Sequence, residues 1–515
     1  MGRFEPAGWG LIVCGAVSAH ILAIDQGTTG STALVMDTHG RTLGRANREF
    51  AQHFPKPGWV EHEPDEIWES VVDSVCEAIS SAAVRGDQIG AIGITNQRET
   101  TVVWERATGR AIHRAIVWQD RRTADRCAEL KGRGHEARVR ETTGLVLDPY
   151  FSGTKLEWLL DNVDGARARA NQGELAFGTM DSFLVHRLAG GSSASAPHVI
   201  EVSNASRTLL MDLARRAWDP AMCELLRVPP TVLPKIVPTA GEIARTHSMP
   251  GLPDGIVIAG MAGDQQAALF GQACFGVGDA KCTYGTGAFV LVNAGSQPVV
   301  SRSGLLSTVG WQIGPDVVYA LEGSSFIAGA AVQWLRDGLG LIASASEVET
   351  LAASVDSSDG VSFVPALSGL GAPYWDPEAR GLICGLTRGS TRAHLARATL
   401  EGIALSVNDL LGAMAADLGE PLGRMRVDGG AAANDLLMQF QSDVGNLVVE
   451  RPSELESTAR GAAMLAGIGA GLFRTGADAS QMITVDRTFQ PSMAEAVRSE
   501  RLAGWRDAVR RSRSV

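Results

Sequence analysis

Ile21-Leu22-Ala23-Ile24-Asp25-Gln26-Gly27-Thr28-Thr29-Gly30-Ser31-Thr32-Ala33-Leu34-Val35-Met36 reads as a strand, a tight loop and a returning strand. Two apolar runs flank a turn of glycine and threonine, and Asp37 to Gly40 makes the next turn, so the chain opens as a β-meander. Phosphate groups are held by successive backbone N–H groups in a tight turn, helped by hydroxyls. Gly27 and Gly30 permit such a turn, while Thr28 and Thr29 supply amides and hydroxyls. Asp25, at the strand end, is placed to hold Mg²⁺ directly or through water. A plain glycine-rich turn has the same wording, so this stretch alone leaves the two readings level. The chain contains no G-x-x-x-x-G-K-[ST], which excludes a P-loop.

Working outward, a helical pattern over about 64–84 and a strand from Ile89 to Ile94 follow, and the alternation of helix and strand sets the class as α/β. A second unit of the same rhythm lies at Lys281-Cys282-Thr283-Tyr284-Gly285-Thr286-Gly287, with Ala288–Val292 as the returning strand. It is another small-residue turn suited to phosphates. Two such units, one per half, suggest two related domains facing each other, although the halves barely match in sequence. A third turn, Val427-Asp428-Gly429-Gly430-Ala431-Ala432-Ala433-Asn434, ends a strand in two glycines that let an adenine ring approach the backbone, and Asn434 can cap the next helix. Each turn alone is a common strand-to-helix connection; three in the order phosphate, phosphate, adenosine point to a nucleotide. Leu400, Ile403, Ala404, Val407, Leu410, Leu411 and Met414 predict a core-facing helix from about Leu395 to Leu418, stopped by Gly419. The Arg-rich tail after about 495 reads as an exposed, solvated helix.

Single cores stop growing near ~250–300 residues, so 515 residues imply at least two domains. The net charge of -11 argues against nucleic acid or an anionic membrane as main partner, since both favour a basic face. Seven scattered cysteines (Cys14, Cys76, Cys127, Cys223, Cys274, Cys282 and Cys384) with no C-x-x-C read as free thiols rather than a disulfide framework or zinc site. His62, within Glu61-His62-Glu63-Pro64-Asp65-Glu66, is better explained by a helix starting at Pro64 with acids in its first turn than by metal ligation. Residues 1–19 faintly resemble a signal peptide, with an apolar run from Gly8 and Val17-Ser18-Ala19 before His20. That run continues into the Asp25 strand, which favours an extension outside the fold.

The order and wording of the three turns resemble the FGGY carbohydrate kinase family. Tyr150-Phe151-Ser152-Gly153-Thr154-Lys155-Leu156-Glu157-Trp158 is similar to one family signature, and Gly381–Leu386 with His394-Leu395 and Ala398-Thr399-Leu400-Glu401 to the other. The resemblance covers about residues 20–510. It implies two actin-like, ribonuclease H-like ATPase domains flanking a catalytic cleft, an N-terminal domain over 20–272 and a C-terminal domain over 273–515. Asn96-Gln97-Arg98-Glu99-Thr100, Trp118-Gln119-Asp120-Arg121-Arg122-Thr123, Asp148–Lys155 and Gly263-Asp264-Gln265-Gln266 are most similar to the members that act on glycerol. The resemblance implies ATP, ADP and Mg²⁺ as cofactors, glycerol as partner, a cytoplasmic homodimer or homotetramer, and Asp264 as general base for a primary hydroxyl. Arg98, Glu99, Tyr150 and Gln265 would bind the polyol hydroxyls, and Trp118 and Phe289 would wall its carbon face and exclude water. Thr28, Thr29, Gly30, Thr286, Gly329, Gln333, Gly430 and Asn434 fall at nucleotide positions and Asp25 at the Mg²⁺ position.

Two departures stand out. After Ser31 the family usually carries an Arg that reaches the phosphates, and this chain has Thr32. Losing a charge-assisted contact there weakens phosphate binding by about 1.5–3 kcal/mol if nothing replaces it. The segment Thr246–Pro253 lacks the glycine run and Arg that bind fructose 1,6-bisphosphate in some members, and the His phosphorylation motif of others is not evident, so neither control is anticipated. Open alternatives are a kinase for another polyol or keto-sugar, a degenerate kinase, and a nucleotide-dependent switch of the same fold. A switch has no need of the Arg98–Glu99 pair with Asp264 and Gln265.

Overall fold

The computed structural model describes residues 20–191, 196–454 and 456–514. The anticipated extension over 1–19 lies outside them. The main sheet has thirteen strands. They are β1 (His20–Gln26), β2 (Gly30–Met36), β3 (Thr42–Glu49), β4 (Ile89–Asn96), β5 (Ala240–Arg245) and β6 (Val257–Gly263), then β7 (Asp279–Tyr284), β8 (Ala288–Gly295), β9 (Leu306–Ile313), β10 (Asp316–Ser325), β11 (Arg424–Asp428), β12 (Val448–Pro452) and β13 (Val485–Phe489).

The strand order is β13-β12-β11-β7-β8-β10-β9-β5-β6-β4-β1-β2-β3. β1 to β3 form the antiparallel meander read from the opening sequence, with Ile24 opposite Ala33 and Asp25 opposite Thr32. β4 then runs parallel to β1 and β6 parallel to β4. The second half repeats this. β7, β8 and β10 are antiparallel neighbours, and β11 and β12 add in parallel beyond β7. The halves β3-β2-β1-β4-β6 and β10-β8-β7-β11-β12 therefore share one topology, and the duplication suspected from two strand–turn–strand units is real in three dimensions. β5 and β9 join them through the single pair Ala240–Ile313.

This topology decides where chemistry can sit. In open α/β sheets ligands bind at the carboxyl ends of parallel strands. Asp25, Asn96 and Gly263 lie at such ends in the first half, and Thr283 and Asp428 pair at the corresponding end of the second.

Helices cover the sheet as their sequences dictate. α1 (Pro64–Ser81) starts at Pro64 with Asp65 and Glu66 in its first turn and buries Ile67, Val71, Val75 and Ala78. α2 (Asp264–Gly271) follows β6 directly, and α3 (Gly329–Asp337) follows β10. The 27-residue α4 (Arg392–Leu418) buries the stripe from Leu400 to Met414 and ends at Gly419, φ 76°. α5 (Asp435–Gly445) follows β11. The tail departs from its expectation. α7 (Glu495–Ser512) keeps an exposed basic face but buries Trp505, Ala508 and Val509, and Trp505 Nε1 donates to Asp409 Oδ2 (2.7 Å). The described cysteines are free as read, but Cys76 and Cys384 are only partly buried.

α6 (Ser457–Gly469) was not legible in advance. It comes late in the chain yet packs on β1, β4, β6 and α2 of the first half. Its approach is so close that a Cβ on Gly461 would overlap the Ala267 carbonyl, and one on Gly93 the Ala462 carbonyl. Gly461→Ala should therefore destabilise the protein by about 1–3 kcal/mol in urea unfolding, because backbone cannot yield as a side chain does. Gly412→Ala, on the exposed side of α4 with open space around it, should instead stabilise by about 0.5–1 kcal/mol. Equal stability of the Gly461 variant and the parent would refute this seating of α6.

Candidate active site

Between the halves lies a cavity of about 660 Å³. Trp118, Tyr150 and Phe151 line it from one side, and Thr286, Phe289 and Glu322 from the other. Gln265 also reaches it. Trp118 and Tyr150 meet edge to face (5.6 Å between ring centres). This gives a wall of carbon above a strongly charged floor.

Beneath it lies a cluster of five ionisable side chains, of which Glu322 alone lines the cavity. Arg98, just after β4, donates from Nη1 to Glu322 Oε2 (2.5 Å) and from Nη2 to Glu322 Oε1 (3.0 Å). Its Nε lies 3.1 Å from Asp264 Oδ1, and Nη2 also reaches the Tyr150 hydroxyl (3.3 Å). Arg207 donates to Glu99 Oε1 (2.6 Å) and to Glu322 Oε1 (3.0 Å). Arg98, Glu99, Arg207 and Glu322 are all buried. Burial would push the Glu322 carboxyl up, but Arg207 and Arg98 hold it down at about 2. Glu99 is raised by burial against the pull of Arg207 and Arg98. Its φ of 59° is a left-handed conformation uncommon for a residue with a side chain, as found where function constrains backbone.

Asp264 opens α2. Burial raises its carboxyl above the ordinary range, opposed by Arg98, by the Gln265 amide that donates to Oδ1 (2.7 Å) and by Lys281. Oδ1 is thus engaged twice, while Oδ2 has no hydrogen-bond partner among the described residues, on a side chain 32% exposed. A short helix, Val202–Ala205, braces the strand ends. Ser203 Oγ accepts from the Gly263 amide (3.1 Å), and Asn204 exchanges hydrogen bonds with Asn96 (3.0 and 3.2 Å). Lys281, fully buried in β7, donates to Gln265 Oε1 and to Thr283 Oγ1 (3.1 Å).

The glycine–threonine turns flank this floor. Thr28 Oγ1 accepts from Trp118 Nε1 (2.9 Å), which ties the first turn to the aromatic wall. Asp25 is pushed up to about 8 by burial, with Asp264 and Glu456 adding negative charge. Thr32 accepts from Asn47 Nδ2 (2.8 Å), so it is held within the sheet. In the second half the Gly285 and Thr286 carbonyls receive the first amides of the α3 segment, including Gly329 N (2.9 Å). Gly329 and the exposed Gln333 lie on α3. Gly430 lies in the turn after β11, and Asn434 caps α5 through the Leu437 amide (2.8 Å). Of the anticipated site residues, Trp118, Tyr150, Gln265, Thr286 and Phe289 line the 660 Å³ cavity, whereas Asp25, Thr28, Thr29, Gly30, Arg98, Glu99, Asp264, Gly329, Gln333, Gly430 and Asn434 do not.

Sequence reasoning missed Glu322, Arg207 and Lys281. The available signal was a lone charge inside an apolar or small-residue run, as in Tyr319-Ala320-Leu321-Glu322-Gly323 and Lys281-Cys282-Thr283. Such a charge is rarely buried unless paired.

Family models match both halves. The N-terminal domain of the FGGY family of carbohydrate kinases matches residues 20–271, and its C-terminal domain matches residues 280–470. The chain belongs to the FGGY family of carbohydrate kinases. It is 56% identical over 495 residues to the glycerol kinase of Myxococcus xanthus (strain DK1622), covering 96% of this chain and 99% of that protein. It is 54% identical over 492 residues to the glycerol kinase of Alkalilimnicola ehrlichii, covering 96% and 98%. Among solved structures it is similar to Plasmodium falciparum glycerol kinase with ADP, with a TM-score of 0.91 at 36% identity over 96% of this chain and 98% of that one. The xylulose kinase of Rhodospirillum rubrum, at 24% identity and a TM-score of 0.83 over 95% and 97%, shares the fold of this FGGY kinase.

Arg207→Met should leave Glu99 and Glu322 short of a buried counter-charge. We expect a loss of about 3–5 kcal/mol in urea unfolding. A loss under about 1 kcal/mol, the range of exposed ion pairs, would show that the cluster is open to water.

Proposed function

We propose that this FGGY kinase transfers the γ-phosphoryl group of ATP to a primary hydroxyl of glycerol, giving sn-glycerol 3-phosphate, with Asp264 as general base. The observation that carries the reading is Asp264 itself. It stands at the carboxyl end of β6, is oriented through Oδ1 by Arg98 and its own helix, has a carboxyl raised by burial, and keeps Oδ2 free. A base with this arrangement accepts the hydroxyl proton at Oδ2 while the hydroxyl oxygen forms its bond to phosphorus. The bond between the γ-phosphorus and the bridging oxygen then breaks, and ADP leaves with that oxygen.

Arg98 and Tyr150 offer donors, Glu99 an acceptor and Gln265 both, which suits adjacent hydroxyls. Trp118 and Phe289 cover the carbon chain and keep water from the base, because water admitted there would be phosphorylated in place of the polyol. Thr28, Thr29 and Gly30 receive the terminal phosphates from one half and Thr286 from the other, with Gly329, Gln333, Gly430 and Asn434 towards the nucleoside. Burial lifts the Asp25 carboxyl to about 8, and the added negative charge of Asp264 and Glu456 around it suits a divalent cation. Mg²⁺ bound there would neutralise charge on the phosphates. The two family-model spans support a polyol-binding domain over 20–272 and a nucleotide-binding domain over 273–515. No helix among the described residues is long and apolar enough to cross a membrane. A cytoplasmic homodimer or homotetramer supplied with ATP fits this reading.

Relatives named glycerol kinase, 52–56% identical across 96% of this chain, support glycerol over larger polyols. Purified protein with MgATP should release ADP far faster with glycerol than with xylulose or ribitol, and the missing Arg at Thr32 should be tolerated. Asp264→Asn should lower kcat about 10²–10⁴-fold with little change in MgATP affinity. Folded protein that responds to none of the three polyols would sink the assignment, and a response to xylulose alone would move it to the keto-sugar kinases.

A further inference from the structure

His62 takes no part in the chemistry above, yet it is fully buried and both its ring nitrogens are used. Nε2 donates to Gln52 Oε1 (2.6 Å), which can only accept, so Nδ1 is the acceptor and receives Gln97 Nε2 (3.4 Å). Burial, with His53 nearby, holds the ring pKa down at about 4, so the neutral form that this pattern requires persists. A satisfied core histidine would end the account there.

The two glutamines do not end there. Gln52, after β3, donates from Nε2 to the Thr28 carbonyl (3.0 Å). Gln97, after β4, shares the two hydrogens of Nε2 among His62 Nδ1, the Gly27 carbonyl (3.2 Å) and Gln26 Oε1 (3.2 Å), and its backbone amide donates to the Gln26 carbonyl (2.7 Å). Two separate stretches of chain, joined through His62, therefore converge on the carbonyls of one turn, where Gln26 Nε2 also donates to the Gly27 carbonyl (2.7 Å).

A trans peptide is planar, with C=O and N–H pointing in opposite directions. The Gly27 carbonyl shares its plane with the Thr28 amide, and the Thr28 carbonyl with the Thr29 amide. Holding both carbonyls against the relay turns both amides away from it. Among the described residues neither amide donates to another protein atom, whereas the Gly27 amide closes the turn on the Gly30 carbonyl (2.9 Å). Unpaired amides facing one way are what an anion requires.

We propose that Gln52, His62 and Gln97 are positioning residues that fix the peptide planes of the Gly27–Gly30 turn, so that the Thr28 and Thr29 amides are set for the terminal phosphates before the nucleotide arrives. The proposal rests on the reading of this turn as the first phosphate loop and is independent of which polyol is the acceptor. His62 is the joint of the relay, because it couples the glutamine on the Thr28 carbonyl to the glutamine on the Gly27 carbonyl.

The test uses the full chain and two neutral, space-filling variants, Gln52→Met and His62→Phe. Each should raise KM for MgATP and the calorimetric Kd for MgADP about fivefold, the effect of losing one neutral hydrogen bond. KM for glycerol and the Kd for adenosine should not move, since neither ligand meets this turn. The double variant should weaken MgADP no further than the stronger single variant, as members of one network do. Unchanged MgADP affinity in either folded variant overturns the proposal, and so does a parallel loss of adenosine affinity, which would mean general loosening. Should His62→Phe fail to fold, Gln52→Met decides alone. Wild-type protein that binds MgADP but phosphorylates no polyol sinks the substrate reading and leaves this test intact. Wild-type protein that binds no MgADP overturns both.

Discussion

The Arg98 guanidinium sets the terms for the site. It shares itself between two carboxylates from different parts of the chain, Glu322 of the second half and Asp264 of the first. A buried guanidinium is tolerated only when it is paired, and Glu322 with Asp264 satisfies it. The arrangement also partitions the acids. Glu322, bridged by Arg98 and Arg207, is held ionised. Asp264, which takes only the Nε of that guanidinium, is raised by burial above an ordinary aspartate despite Arg98, the Gln265 amide and Lys281. Two carboxylates a short distance apart thus take different roles through unequal shares of one cation. Because Arg98 and Glu322 belong to different halves, the same contact ties the two halves of the sheet together beneath the cleft.

The duplicated topology carries different side chains in its two halves. Both place a glycine–threonine turn after the first strand of a meander, and both add parallel strands on the other side of it. At matching positions the first half carries Asp25 and the second Thr283, with Lys281 two residues before it. Asp25 and Asp264 stand at the carboxyl ends of β1 and β6, while the second half places Glu322, its small-residue turns and the buried cation Lys281 opposite them. One scaffold has been used twice, and the side chains at its strand ends set the difference.

The fold class, the meander, the long α4 and the three turns were legible because each rests on local signals. These are an apolar run, a helical stripe, or glycine where a turn is tight. The residues proposed for the polyol and the base were legible only through the wording of short motifs such as Asn96–Thr100 and Gly263–Gln266. Arg207, Glu322 and Lys281 were not, since their meaning lies in partners 100 or more residues away or buried behind the motif. α7 was misread for a related reason. Its charged residues dominate the composition, whereas Trp505, Ala508 and Val509 on one face decide its placement. For His62 the helix-start account missed its bonds to Gln52 and Gln97.

The seating of α6 bears on how the chain is made as well as how it stands. Its floor, formed by β1, β4, β6 and α2, is complete in sequence by Gly271, yet the helix that covers it ends at Gly469. At ribosomal speeds of roughly 5–20 residues per second, those strands emerge about 10–40 s before their cover. The groove left open in that interval presents Gly93, Gly260 and Ala267, which suit one closely approaching backbone, beside large apolar side chains such as Ile21 and Phe270. Small residues there let the final helix come close, and the large ones beside them leave the first half with an unfinished core until that late segment arrives.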